Sequence, residues 1–201
     1  VVFAGHFFDM VEKYHANAAA LAPAVLAIIF KMTGDYIGKY NGRLNYIQLG
    51  SAPLPETDKE RLLKLLPDCR LYNLYGTTES GCSCILNFNS ADNRKNCIGR
   101  PTCNSRFMIV DDAGRQVDVP EVHGHLVCAG TMNMKGYYKD PELTETAMKN
   151  GYICSNDIGY IDDVGRIYML GRLDDVINTG GNKIAPGEIE EVARRFPGIN
   201  D

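Results

Sequence analysis

The 201-residue chain is 45% hydrophobic and 23% charged, with a formal net charge of -4, so it can bury a core and lacks the basic surplus that drives counterion release from nucleic acid. Its longest apolar run, "AAALAPAVLAIIF" from Ala18 to Phe30, is interrupted by Pro23 and too short to span a bilayer. The seven cysteines (Cys69, Cys82, Cys84, Cys97, Cys103, Cys128, Cys154) are odd in number and contain no C-x-x-C pair, which reads as reduced thiols of a cytoplasmic protein; the spacing of Cys82, Cys84 and Cys97 fits no usual zinc pattern.

In chain order, the first part alternates short apolar runs with amphipathic ones. "VVF" reads as a strand and "FFDMVEKYH" as a helix; "ANAAAL" precedes the helical "PAVLAIIFKM", "LNYIQLG" precedes "LPETDKERLLKLL", and the series closes on the strand "CRLYNLY". Strands alternating with helices imply crossover connections and a largely parallel sheet, in which ligands gather beyond the carboxyl ends of strands. Two such ends are glycine-led and polar: "GSAPLP" after Leu49 and "GTTES" after Tyr75.

Past the polar "NSADNRKN" near residues 89–96 the texture changes. "RFMIVDDAGRQVDV", "HGHLVCAG", "GYICSNDIGYIDDVGRIYMLGR" and "DVINTGGNKIA" are short strands punctuated by D-D-x-G and G-G turns, which predicts a second, mainly antiparallel β lobe. "PGEIEEVARRFPG" predicts a helix with acids in its first turn and arginines in its last. The expected fold class is α/β, with a partly parallel sheet lobe over residues 1–90 and a β-rich lobe over 91–173. The opening on Val1 and the closing "RRFPGIND" read as an internal piece of a longer protein.

Three stretches carry candidate chemistry. "LYNLYGTTES" ends a buried strand in a glycine, two hydroxyls and a carboxylate, "GYICSNDIGYID" puts Asp157 at a strand-turn junction, and "GRLDDVINTGGNKIAPGEIE" brings Arg172, Asp174 and Gly180-Gly181 close in sequence. Each has an ordinary reading of its own: a solvated turn, a turn-capping aspartate, a surface ion pair, a hairpin loop. Together, in this order, they resemble the adenylate-forming superfamily of acyl-CoA synthetases, luciferases and peptide-synthetase adenylation domains. "YGTTE" matches its Y-G-x-T-E motif, and the other two resemble its G-W-x-x-T-G-D-x-G-x-x-D and G-R-x-D-D-x-I-x-x-G-G-x-x-I-x-P-x-E-I-E motifs. "GSAPLP", "IGRP", "VDDAGRQV" and "GHLVCAGTMNMKGYYKDPELT" agree more weakly.

The resemblance implies an AMP-forming ligase that uses ATP, Mg2+ and CoA to convert a small carboxylic acid to an acyl-adenylate and then a thioester. Gly50, Ser51 and Ala52 would line the adenine and acyl sites, Tyr75 would stack on adenine beside Asn73, and Gly76, Thr77 and Thr78 would meet phosphate. Thr78 and Glu79 are the catalytic candidates, Glu79 as the metal ligand. Asp157 would accept from the ribose hydroxyls and Arg172 would donate to ribose or phosphate. Asp174 would be the hinge opening a C-terminal domain over residues 174–201, and Gly180 and Gly181 would border the CoA tunnel. The family's β-rich lobe is a distorted barrel. Its Ser/Thr/Gly-rich phosphate loop and catalytic lysine have no counterpart here, so the chain alone is expected to be inactive. Departures are Asn156 for the glycine and Ser155 for the threonine of T-G-D, Tyr152-Ile153-Cys154 for the preceding aromatic-aromatic-arginine, and His125 for the glutamate of G-E-L. His125 has no partner carboxylate at a recognisable spacing. Rival readings are an adenylation domain that loads a carrier protein and a non-catalytic nucleotide-binding relative.

Overall fold

The computed structural model describes residues 4–175, 177–179, 182–184, 186–193, 196 and 198–199. Two compact units divide the chain: the first runs to Tyr75 and takes in Ile85–Lys95, and the second takes Gly76–Cys84 and the chain from Asn96 onward. The expected first strand, "VVF", lies outside the described residues.

In the first unit, α1 (Ala4–Lys13) buries Ala4, Phe8 and Val11, residues spaced to share one helical face. β1 (Ala18–Leu21) leads into α2 (Pro23–Thr33), where Pro23 occupies the first turn and its missing N–H removes no helical hydrogen bond. Gly34, at φ 58°, ends that helix and returns its N–H to the Phe30 carbonyl. A 3-10 turn over Tyr36–Tyr40, which no apolar periodicity announced, stacks Tyr40 on Phe8 with ring centres 5.2 Å apart. β2 (Tyr46–Gly50), α3 (Glu56–Leu65) and β3 (Arg70–Thr77) follow, with Gly76 and Thr77 of β3 belonging to the second unit. α2 and α3 are the crossovers that let β1, β2 and β3 run parallel, with Leu21 opposite Leu49 and Leu49 opposite Asn73. The core between sheet and helices is filled by Leu26, Ile29, Ile47, Leu49, Leu62 and Leu71, all fully buried, each worth about 1.5–3 kcal/mol in transfer from water.

β4 (Gly81–Asn87) is divided between the units at Cys84. The second unit continues with β5 (Cys97–Pro101), β6 (Ser105–Val110), β7 (Gln116–Val117), β8 (Gly124–Gly130), α4 (Pro141–Ala147), β9 (Met148–Lys149), β10 (Tyr152–Ile161) and β11 (Ile167–Arg172). The order is β5-β11-β10-β8-β6-β7 with β9 beside β10, and the pairs are antiparallel. This is the antiparallel lobe that the turn spacing predicts. Among the described pairings the run stays open, so the barrel that the resemblance implied is a bulged open sheet.

The two D-D-x-G-R turns are built alike. The Asp111 carboxylate accepts the N–H groups of Ala113 and Arg115, each at 2.9 Å, and the Asp162 carboxylate accepts those of Val164 at 3.2 Å and Arg166 at 2.8 Å. α4 has no counterpart among the expected elements, although Asp140-Pro141 is a helix-start signal: the Asp140 carboxylate accepts the Leu143 N–H at 3.0 Å. β12 (Ile177–Thr179) pairs with β13 (Asn182–Ile184), and α5 (Pro186–Ala193) begins the expected helix. No helix among the described residues is long and apolar enough to cross a membrane.

Candidate functional site

The turn between β3 and β4 is closed from within. A Cβ on Gly76 would run into the Gly81 carbonyl oxygen, so glycine is required by the close approach of the two chain segments. Ser80 is buried, its Oγ accepts the Thr77 N–H at 3.1 Å, and its own N–H donates to Thr77 Oγ1 at 3.2 Å. Thr77 is thereby engaged in the turn, while Thr78 stands exposed and Glu79 half-exposed at its tip.

Glu79 is held from two directions. The Tyr137 hydroxyl donates to its Oε1 at 2.6 Å, and the Met134 N–H donates to its main-chain carbonyl at 2.7 Å. The Tyr137 hydrogen bond keeps the Glu79 carboxyl below the usual carboxylate range; partial burial opposes it, and Thr77 and the Arg172 charge add to it. The same bond raises the Tyr137 phenol above its ordinary value. Glu79 is therefore an ionised hard-oxygen donor at neutral pH.

Asp157 lies inside β10, not at a turn, and is 3% exposed. A β-bulge puts it there: along β8 the register passes from Cys154 opposite Val127 to Asp157 opposite Leu126, leaving Ser155 and Asn156 as the extra residues. Asn156 adopts φ 62°, the left-handed conformation that asparagine tolerates better than most side chains, so the bulge forms without the glycine that the resembled motif has there. Ser155 Oγ donates to the Leu126 carbonyl at 2.8 Å and accepts the Asp157 N–H at 3.3 Å. Across the ladder Asp157 faces Arg172, with Nη1 3.9 Å from Oδ1. The Arg172 side chain is 53% exposed, and its charge also reaches Glu79. Glu79, Arg172 and Asp157 thus form one electrostatically linked group within the second unit. Asp174 does not pair with Arg172; its Oδ2 accepts the Asn156 amide at 2.5 Å.

The remaining expected residues lie in the first unit, at the carboxyl ends of β2 and β3. Gly50 sits opposite Leu74, whose carbonyl oxygen would be 2.9 Å from a Cβ added at Gly50. Ser51 is exposed at φ 75°, with Ala52 exposed beside it, and Asn73 and Tyr75 are half-buried. Gly180 and Gly181 fall outside the described residues. Sequence reasoning missed Tyr137, which lies in the quoted "GYYKDPELT" but is 58 residues from Glu79. It also left His125 without a carboxylate, whereas Asp112 Oδ1 lies 3.0 Å from its Nε2. That pair joins the β6–β7 turn to β8. All seven cysteines are free thiols, and no cluster of metal-ligating side chains is present among the described residues.

The model of the AMP-binding enzyme family matches residues 2–138. Among curated proteins, phenylacetyl-CoA ligase epaB of Aspergillus niger is 30% identical over 97% of this chain and 37% of its own length. Enterobactin synthase component E of Escherichia coli is 31% identical over 96% of this chain and 36% of its own length. The chain thus spans well under half of the relatives it matches. Among solved structures, the Bacillus subtilis o-succinylbenzoate coenzyme A synthetase in complex with ATP and magnesium superposes with a TM-score of 0.86, at 23% identity, over all of this chain and 41% of that one; this likeness concerns the fold. With more than half of its residues matched by the family model, the chain belongs to the AMP-binding enzyme family.

Proposed function

We propose that this chain supplies part of the active site of an AMP-forming acyl-CoA synthetase, working on a small carboxylic acid in the cytoplasm. The observation that carries the reading is the charged set in the second unit: buried Asp157, Arg172 across the ladder from it at 3.9 Å, and Glu79, whose carboxyl the Arg172 charge helps to keep low. A structural ion pair would not need a third, ionised carboxylate at the tip of a hydroxyl-bearing glycine turn.

In the proposed reaction a carboxylate oxygen of the acid attacks the α-phosphorus of ATP, the bond to pyrophosphate breaks, and pyrophosphate leaves with the electron pair. A thiol then adds to the acyl carbonyl and AMP leaves with the C–O electrons. Asp157 presents two oxygens to the vicinal ribose hydroxyls, and Arg172 donates to ribose or phosphate oxygens. Thr78, exposed where Thr77 is engaged, offers hydroxyl and N–H to phosphate. Glu79 fits magnesium, since that ion takes one or two carboxylates beside phosphate oxygens. The ion when bound would neutralise charge on the phosphates. The family resemblance alone supports Tyr75 and Asn73 for adenine, Gly50, Ser51 and Ala52 for the adenine and acyl sites, Asp174 as hinge, and Gly180 and Gly181 at the CoA tunnel.

The test is pyrophosphate exchange by the chain in its full natural reading frame. Asp157→Ala should weaken ATP binding by up to two charge-assisted hydrogen bonds, each about 1.5–3 kcal/mol. Glu79→Gln should lower the adenylation rate with a milder effect on AMP affinity. Wild-type exchange by both variants would overturn the reading. Thioester formation with free CoA, set against a carrier-protein thiol, decides the acceptor.

A further inference from the structure

We propose that Tyr137 is a positioning residue for the metal carboxylate: its hydroxyl fixes Glu79 Oε1 so that Oε2 faces the cation. The inference rests on the reading of Glu79 given above. The short bond, 2.6 Å, is of the charge-assisted kind.

What makes Tyr137 a device rather than a chance neighbour is how firmly it is held. Its N–H donates to Thr144 Oγ1 at 2.9 Å, and the same hydroxyl donates to the Asp140 carbonyl at 2.7 Å. Residue 140 returns its N–H to the Tyr137 carbonyl at 3.3 Å, closing the loop onto the first turn of α4. Gly136 precedes it at φ 151°, where a Cβ would come within 3.0–3.1 Å of the Thr144 side chain. On the other side the Met134 N–H clamps the Glu79 main chain. Loop 131–140 therefore grips both the backbone and the carboxylate of one residue. A flexible glutamate would sample several rotamers, and a cation would have to select one; a carboxylate already fixed at one oxygen binds without that loss. Tyr138, the next aromatic in "GYY", is 88% exposed and makes no comparable contact with Glu79, so the motif's function is assigned to its first tyrosine.

The test compares wild type, Tyr137→Phe and Glu79→Gln in the full natural reading frame. Three quantities are read: the Glu79 carboxyl titration by 13C NMR without nucleotide, the Mg2+ concentration giving half-maximal pyrophosphate exchange, and the melting temperature. Tyr137→Phe should raise the Glu79 pKa toward the ordinary value and raise the half-maximal Mg2+ concentration by about 10- to 150-fold, the range for one hydrogen bond to a charged group. Saturating Mg2+ should restore most of the rate. If Tyr137→Phe does not fold, Thr144→Val keeps the phenol while loosening its anchor, and should move the same two quantities in the same direction by a smaller factor. A variant that only melts lower, with unchanged Glu79 titration and Mg2+ dependence, would overturn the proposal while Glu79→Gln remains impaired. Unimpaired exchange by Glu79→Gln would instead remove the metal-ligand reading, and this inference with it.

Discussion

At Asn156 two opposing terms meet. Its backbone lies at φ 62°, where an ordinary side chain costs about 1–2 kcal/mol and glycine costs little. Its amide meanwhile donates to Asp174 at 2.5 Å, an exposed hydrogen bond worth about 0.5–1.5 kcal/mol. Asn156→Gly should therefore leave stability within about 1 kcal/mol of wild type, the relieved backbone offsetting the lost bond. Asn156→Ala loses the bond and keeps the strain, so it should be the less stable of the two by about 1–2 kcal/mol. Urea melts of the three proteins check the ranking, and an alanine variant as stable as the glycine one would sink it. The same residue shows what was legible at this scale. A left-handed turn at Asn156 can be read from the motif because backbone tolerance is a local property. Tyr137 could not be paired with Glu79, because the pairing exists only once loop 131–140 has been folded back onto the turn after β3.

Among the elements, the paired D-D-x-G-R turns differ in burial, and that difference makes a prediction. Burial alone would raise the Asp162 carboxyl, but the Arg166 N–H and guanidinium outweigh it and hold the group below its usual range. A carboxyl with a lowered folded pKa contributes stability that is present above its unfolded value, about 3.9, and is lost as the pH falls through the folded value. Asp162→Asn should cost about 1.5–3 kcal/mol near neutrality, as for hydrogen bonds to a charged group, and should flatten the acid limb below about pH 4. Asp111→Asn, in the more exposed copy, should cost less because solvent screens its pair with Arg115. Melting curves from pH 7 to pH 3 compare them; equal losses in the two variants would contradict the burial argument. Most elements were legible because apolar residues recur at strand or helix spacing, as in α2 and β10. The 3-10 turn at Tyr36–Tyr40 and the helix α4 were not. The first is held by packing of Tyr40 on Phe8, and the second buries none of its residues, so neither writes an apolar stripe into the sequence.

For the whole molecule, the candidate groups divide between the two units, with Gly50, Ser51, Ala52, Asn73 and Tyr75 in the first and Gly76–Glu79, Asp157, Arg172 and Asp174 in the second. Motifs that are continuous in sequence disclosed these groups, whereas the link from Glu79 through Arg172 to Asp157 needed the bulge and the register of β10 on β11. The 201-residue chain expressed alone should fold, since each unit contains fully buried aliphatic side chains such as Leu26, Ile47 and Leu126, yet it should not turn over. Adenylyl transfer depends on donors and cations aimed at the phosphates, and two that the family resemblance assigns to it, a Ser/Thr/Gly-rich loop and a lysine, have no matching motif between Val1 and Asp201. Loss of one such donor costs roughly 10²–10³ in rate, so loss of both should put exchange below detection with any carboxylic acid. Asp157 and Arg172 remain, and they should sustain weak AMP binding that Asp157→Ala removes. Exchange assays with a panel of acids, run beside calorimetric titration of AMP, separate the two expectations. Measurable exchange by the isolated chain would show that the essential donors lie within it, and AMP binding unchanged in Asp157→Ala would show that the buried carboxylate does not hold the ribose.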